Sequence, residues 1–152
     1  MYKIIFTSLF AITSCFANAQ NNNTKYNKTL ADSLGADAYG MKSYVFVILK
    51  TGSNKTTDKH LTDSLFQGHL KNIGHLAELG KLSLAGPFQK NDKDYRGLFI
   101  LNVKTKEEAA KLLETDPAIN AKLLEAEMYG WYGSAALPMF LPYHDKVQSK
   151  SF

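Results

Sequence analysis

Two stretches of this chain are apolar on both sides of an extended backbone, and both are short. Tyr44 to Lys50 reads YVFVILK and Arg96 to Val103 reads RGLFILNV. Side chains alternate between the two faces of a strand. In the first run Tyr44, Phe46 and Ile48 therefore share one face, and Val45, Val47 and Leu49 share the other. Strands of this kind must be covered on both sides. The fold needs helices over one face of its sheet and a second cover over the other.

The intervening segments supply the helices. Asp58 to Leu79 reads as a helix, with Gly80 as its stop. Leu82 to Phe88 is a second strand, interrupted at Gly86-Pro87, and a polar turn follows from Gln89 to Tyr95. Thr105-Lys106-Glu107-Glu108 has the S/T-x-x-E form of a capping box, so a second helix starts there. It runs to about Thr115 and is ended by Pro117. Leu123 to Tyr132 is the fourth strand. The order β-α-β-β-α-β predicts an α+β, ferredoxin-like fold: an antiparallel sheet with two helices on one face. The unit spans residues 43–137. A second copy of the same sheet is the expected cover for the open face, giving a homodimer with twofold symmetry. The other cover on offer is the C-terminal tail, LPMFLPYHDKV, in which Pro138 and Pro142 prevent a long helix.

The N-terminus is of another kind. Lys3 precedes a charge-free run from Ile4 to Phe16, and Ala17-Asn18-Ala19 is a small-x-small cleavage site that leaves Gln20 first. This is the order of a secretory signal peptide over residues 1–19, and it predicts an exported protein, periplasmic or secreted. The run falls short of the roughly 20 apolar residues of a membrane span. A competing reading is a lipobox, Ile12-Thr13-Ser14-Cys15, which would place a lipid anchor on Cys15. Cleavage after Ala19 removes one Lys and no acid, so the formal charge falls from +4 to +3, and it removes the single cysteine. Thiol catalysis, thiolate metal sites and disulfides leave with it. So weak a charge, without a basic stripe, gives no nucleic-acid footprint. Residues 20–42 are a polar extension carrying a short helix within Thr29 to Met41 that Gly35 ends.

One residue of the first helix is out of place. On a helical wheel Leu61, Leu65, Phe66, Ile73, Leu76, Ala77 and Leu79 define the core-facing arc, and His69 falls in its middle. His75 lies at the edge of the arc and His60 on the solvent side. A buried imidazole needs a hydrogen-bond partner. A backbone carbonyl would make it structural, whereas a carboxylate would orient it for acid–base chemistry. The candidate carboxylate is Asp116, directly before Pro117. As a helix-stop residue it would sit at the negative end of the helix dipole, which does not favour an acid.

Three segments together resemble the YCII-related family. GHLKNIGHLAELGKLSLAGPF (Gly68 to Phe88) has a His, a Gly eleven residues later at Gly80, and a strand running into Gly86-Pro87. EEAAKLLETDP (Glu107 to Pro117) has the helix start and the closing Asp-Pro, and MYGWYGSAAL (Met128 to Leu137) is a final strand ending in aromatics. The resemblance implies a dimeric α+β barrel, with His69 and Asp116 as an active-site pair in a cleft near the dimer interface. Related barrels include muconolactone isomerase-like and chloromuconolactone dehalogenase-like enzymes, which act on small lactones. The chain departs from the compact family pattern in its export signal, its N-terminal segment and its Pro-rich tail.

The expected function is small-molecule chemistry by proton abstraction or elimination on a small lactone-like or anionic compound. His69 is its acid or base and Asp116 orients the ring. Gly86-Pro87 leaves room for the substrate, and Trp131 and Tyr132 wall the pocket. No cofactor is expected. His69 and His75 are six apart, about 120° round a helix, so no metal site is expected either. The alternative is a non-catalytic exported module, in which the cleft holds a ligand or only packs, and Phe46, Phe99 and Leu101 serve dimerisation.

Overall fold

The computed structural model describes residues 23–150. Cys15, Ala19 and Gln20, with the signal and cleavage sites assigned to them, lie outside the described residues. The chain runs through α1 (Lys28–Leu34), β1 (Met41–Thr51), α2 (Lys59–Glu78), β2 (Leu82–Pro87), β3 (Tyr95–Leu101), α3 (Lys106–Leu113), α4 (Pro117–Asn120) and β4 (Leu124–Ser134). A 3₁₀ turn at Leu137–Phe140 and α5 (Leu141–Val147) follow. The four strands form one antiparallel sheet in the order β2-β3-β1-β4. This is the ferredoxin-like α+β arrangement expected from the strand and helix order.

Alternation sorts the sheet as the sequence pattern requires. Val45, Val47 and Leu49 of β1 join Phe99 and Leu101 of β3, Leu76 of α2, Ala109 and Leu113 of α3 and Ala118 of α4 in one buried cluster. Each large side chain buried there contributes about 1.5–3 kcal/mol relative to exposure. Phe99 and Leu101 thus face the helices, which corrects their assignment to a dimer surface. Phe46 is opposite Ile100 on the other face.

Local sequence sets the boundaries. The Asp58 carboxylate accepts from Leu61 N–H at 3.0 Å and starts α2. Thr105 Oγ1 accepts from Glu108 N–H at 3.2 Å, while Glu108 Oε2 accepts from Lys104 N–H at 2.9 Å, so the capping-box residues do cap α3. Gly80, with φ of +66°, lets the chain leave α2 in the left-handed region. Three expectations are corrected. β2 is not interrupted at Gly86-Pro87: Gly86 pairs with Leu98 and Pro87 with Gly97, and an edge strand tolerates the missing N–H of proline. α3 stops at Leu113, and Pro117 starts a new helix instead of ending the old one. The buried stripe of α2 is narrower than the wheel implies, because Leu61 and Leu79 are exposed. Twenty residues of helix span about 30 Å, whereas β2 and β3, of 6 and 7 residues, reach only about 20–24 Å. α2 is therefore longer than β2 and β3, though not than β1 and β4, of 11 residues each.

The face away from the helices is partly closed by the chain itself. Tyr44, although it points to this face, is fully buried. Its ring lies against Trp131, 5.6 Å between centroids, with the Lys42 ammonium over it, and its hydroxyl donates to Ser134 O at 2.8 Å. Phe46, Ile48, Leu84 and Leu98 are half-buried on the same face, and Tyr129 is exposed. Burial holds the Tyr44 hydroxyl above its ordinary value. A raised phenol contributes its full stability below the unfolded value of about 10 and loses it as pH rises. Tyr44→Phe is expected to cost about 1 kcal/mol at pH 7 through the lost hydrogen bond. It should also flatten the alkaline decline in stability above about pH 10. Urea melts of both proteins across pH 7–11 check this. Equal slopes would remove Tyr44 from the alkaline transition.

Candidate active site

His69 sits midway along α2, and Asp116 sits at the corner between α3 and α4. The structure brings them together: His69 Nδ1 lies 2.6 Å from Asp116 Oδ2. Asp116 is 1% exposed and His69 8%. The imidazole is stacked on Phe99 at 5.9 Å between centroids, and the edge of Phe66 meets it at 6.1 Å. An apolar stripe therefore carries one polar ring whose hydrogen-bonding need is met by one carboxylate.

Asp116 is better placed than a helix stop. It is the N-cap of α4, and its Oδ1 accepts from Ala118 N–H at 2.9 Å and Ile119 N–H at 3.3 Å. The expected mismatch with a helix dipole is thus corrected: the carboxylate lies at the N-terminal, favourable end of the short helix that Pro117 opens. Pro fits this first position because its missing N–H has no intrahelical partner there. One carboxylate oxygen is held by the backbone and the other is left for the imidazole.

That division assigns the proton. Ala118 and Ile119 donate to Oδ1, so Oδ2 is an acceptor for Nδ1–H. In the neutral ring Nε2 then carries the lone pair. It has no hydrogen bond among the described residues, whose only enclosed side-chain polar atom without a partner is Ser83 Oγ. Nε2 therefore keeps an edge open to solvent. A neutral imidazole with Nδ1 held by a carboxylate and Nε2 free is equipped to take a proton at Nε2 and return it.

The other residues assigned to this pocket are distributed elsewhere. Adjacent residues of a strand point to opposite faces, so Trp131 and Tyr132 cannot wall one pocket, and their joint placement is corrected. Trp131 packs at a tilt against Tyr44, across the sheet from α2. The Tyr132 hydroxyl donates to Asp37 Oδ2, while Asp37 Oδ1 accepts from the N–H groups of Tyr39 and Met41. The Tyr132 bond, followed by the Met41 N–H, holds the Asp37 carboxyl below its usual range and raises the Tyr132 hydroxyl. These contacts tie the N-terminal extension to β4. Gly86 pairs with Leu98 and so lies on the sheet face away from α2, which corrects its placement beside His69, and a side chain there would meet open space. Two open clefts, of about 420 and 310 Å³, lie at β4 beside α3 and α4 and beneath α1, and neither is lined by His69 or Asp116. His60 and His75 are exposed.

Two contacts beside the pair escaped sequence reasoning. Thr115 Oγ1 lies 2.7 Å from Leu112 O and 2.9 Å from Asn72 Oδ1, and its single proton serves one of them at a time. A Cβ built on Gly68 would lie 2.6 Å from Pro117 Cγ. The available signal was a glycine inside a helix, which costs about 1 kcal/mol relative to alanine unless something needs the space.

No family model matches the chain, and no curated protein matches it. Among solved structures it is similar to 5-chloro-2-hydroxyhydroquinone dehydrochlorinase (TftG) from Burkholderia phenoliruptrix AC1100, in complex with 2,5-dihydroxybenzoquinone. The identity is 21% and the TM-score 0.40, over 57% of this chain and 92% of that one. Among the described residues no helix is long and apolar enough to cross a membrane.

Proposed function

We propose that this chain is an exported member of the YCII-related family that performs proton abstraction or elimination on a small lactone-like or anionic compound, with His69 as the base. The observation that carries the reading is the buried His69–Asp116 pair, closed at 2.6 Å on one side and free at Nε2 on the other. In this chemistry Nε2 takes a proton from a carbon acidified by a neighbouring carbonyl, and the C–H electron pair enters an enolate. The imidazolium returns the proton to another carbon, or a leaving group departs with its electron pair and the proton passes to solvent. Asp116 stabilises the imidazolium and holds the ring in its tautomer. Export follows the signal pattern of residues 1–19.

The second part of the proposal is a homodimer through the sheet face away from the helices, where Phe46, Ile48, Leu98 and Tyr129 lie. A second reading has its own support. The open clefts avoid His69, and little of the ring is exposed, as in a non-catalytic module whose His–Asp pair is structural.

Deuterium exchange separates the two readings. The protein is incubated in D₂O with a panel of unsaturated five-membered lactones and small keto and hydroxy acids, and C–H loss is followed by proton NMR. At least one compound should exchange faster with wild type, and His69→Asn should remove on the order of 10²–10⁴ of that acceleration. No acceleration with any compound, or acceleration unchanged in His69→Asn, defeats the enzyme reading. Sedimentation of the same sample should give twice the chain mass, and a monomer at micromolar concentration would defeat the homodimer.

A further inference from the structure

The contact between α2 and the α3–α4 corner has an order. Gly68 meets Pro117, His69 meets Asp116 and Asn72 meets Thr115, so three positions on one helix face are met in reverse sequence by three consecutive residues of the corner. The outer two contacts are of opposite kinds. Asn72–Thr115 is a polar contact at 2.9 Å, which shares the Thr115 hydroxyl with Leu112 O. Gly68–Pro117 is a close approach that exists only because residue 68 has no side chain, since a Cβ there would fall 2.6 Å from Pro117 Cγ. Pro117 is the residue after Asp116 and the first residue of the helix whose N–H groups hold Asp116 Oδ1. Any shift of the Pro117 ring away from α2 moves the carboxylate with it.

Gly74, the other glycine inside α2, supplies the contrast. It is exposed, and a Cβ there would meet nothing within 4 Å. Glycine is a poor helix former at both positions, but only at Gly68 does the structure use the missing side chain.

We propose that Gly68 is a positioning residue of the His69–Asp116 pair. By admitting the Pro117 ring against α2 it seats Asp116 Oδ2 on Nδ1, and the Asn72–Thr115 contact fixes the corner on the other side. The proposal rests on the reading of the pair as an oriented base, and it adds the device that sets the orientation. Short hydrogen bonds are steep in distance. A displacement of a few tenths of an ångström, tolerable in ordinary packing, therefore weakens this bond.

The test reads the bond directly. Proton and ¹⁵N NMR of the full chain should show a downfield Nδ1–H signal for His69, with ring ¹⁵N shifts of the tautomer protonated at Nδ1. Gly68→Ala should lose or markedly shift that signal. Gly68→Ala/Pro117→Ala, which removes the Pro117 Cγ, should regain it. Gly74→Ala should leave it unchanged while raising Tm. A purely structural role for Gly68 predicts a lower Tm with the wild-type signal intact. That signal in a folded Gly68→Ala protein overturns the proposal, as does failure of the double variant to restore it. If Gly68→Ala does not fold, the double variant alone decides. Absence of the signal from wild type would instead overturn the His69–Asp116 pairing, and with it the reading on which this proposal rests.

Discussion

Asp116→Ala is expected to destabilise the protein by about 3 kcal/mol, whereas Asp116→Asn should cost only about 1 kcal/mol and yet slow the proton chemistry by orders of magnitude. The two substitutions divide what the carboxylate does. Oδ1 caps α4 through Ala118 and Ile119, and Oδ2 holds His69. Alanine removes both: a lost N-cap is worth about 1 kcal/mol and a hydrogen bond to a charged group about 1.5–3 kcal/mol. Asparagine is as good an N-cap as aspartate, so Oδ1 still serves Ala118 and Ile119. Its amide nitrogen is a donor, however, and now faces Nδ1. The imidazole must turn Nδ1 into an acceptor and carry its proton on Nε2, where a base needs the lone pair. Any proton-abstraction rate should fall on the order of 10³- to 10⁴-fold, the scale associated with the wrong tautomer. Urea denaturation gives the first quantity and the deuterium-exchange rate the second. An Asp116→Asn variant with wild-type exchange would show that the negative charge of Asp116 has no part in the chemistry.

The sheet was legible in the sequence because its information is local. Tyr44 to Lys50 alternates between two apolar faces, and Thr105 with Glu108 announces a helix start, so four strands and two main helices followed without long-range knowledge. His69 was legible for the same reason, as a polar residue inside an apolar stripe. Asp116 was placed correctly in the chain but given the wrong local role. The residue that stops one helix and the residue that caps the next are here only three apart, Leu113 and Asp116, and a lone Asp-Pro reads equally as either. Trp131 and Tyr132 were a different failure. The alternation that sorted Val45 from Phe46 applies to them too, and it places them on opposite faces. The burial of Tyr44 was not legible at all. It depends on Ser134 and Trp131, which are distant in sequence. Gly68 belongs to the same class, since its reason for being glycine is Pro117, 49 positions away.

His69→Leu should destabilise the protein by about 3 kcal/mol or more, and adding Asp116→Asn should recover much of that loss. In the single variant the leucine side chain fits among Phe66 and Phe99, but Asp116 Oδ2 is left as a carboxylate oxygen, buried and without its donor. An unpaired buried charge is what makes breaking such a pair costly. In the double variant no charge remains, the introduced asparagine keeps the cap on α4, and an apolar side chain fills the stripe where an apolar residue was expected from the start. The double leaves only the asparagine amide nitrogen without an acceptor and should cost about 1–2 kcal/mol, which against about 3 and about 1 kcal/mol for the single variants gives a coupling energy of about 2–3 kcal/mol between the two sites. Denaturant melts of the four proteins of this cycle measure it. The result also bears on function. If leucine and asparagine together fold nearly as well as histidine and aspartate, stability does not explain why a polar pair occupies the centre of this helix face, and chemistry at Nε2 is left as its use. If the double variant stays as destabilised as His69→Leu alone, the pair is a structural staple, and the case for a catalytic base falls with it; losses that simply add would show that the two residues do not interact.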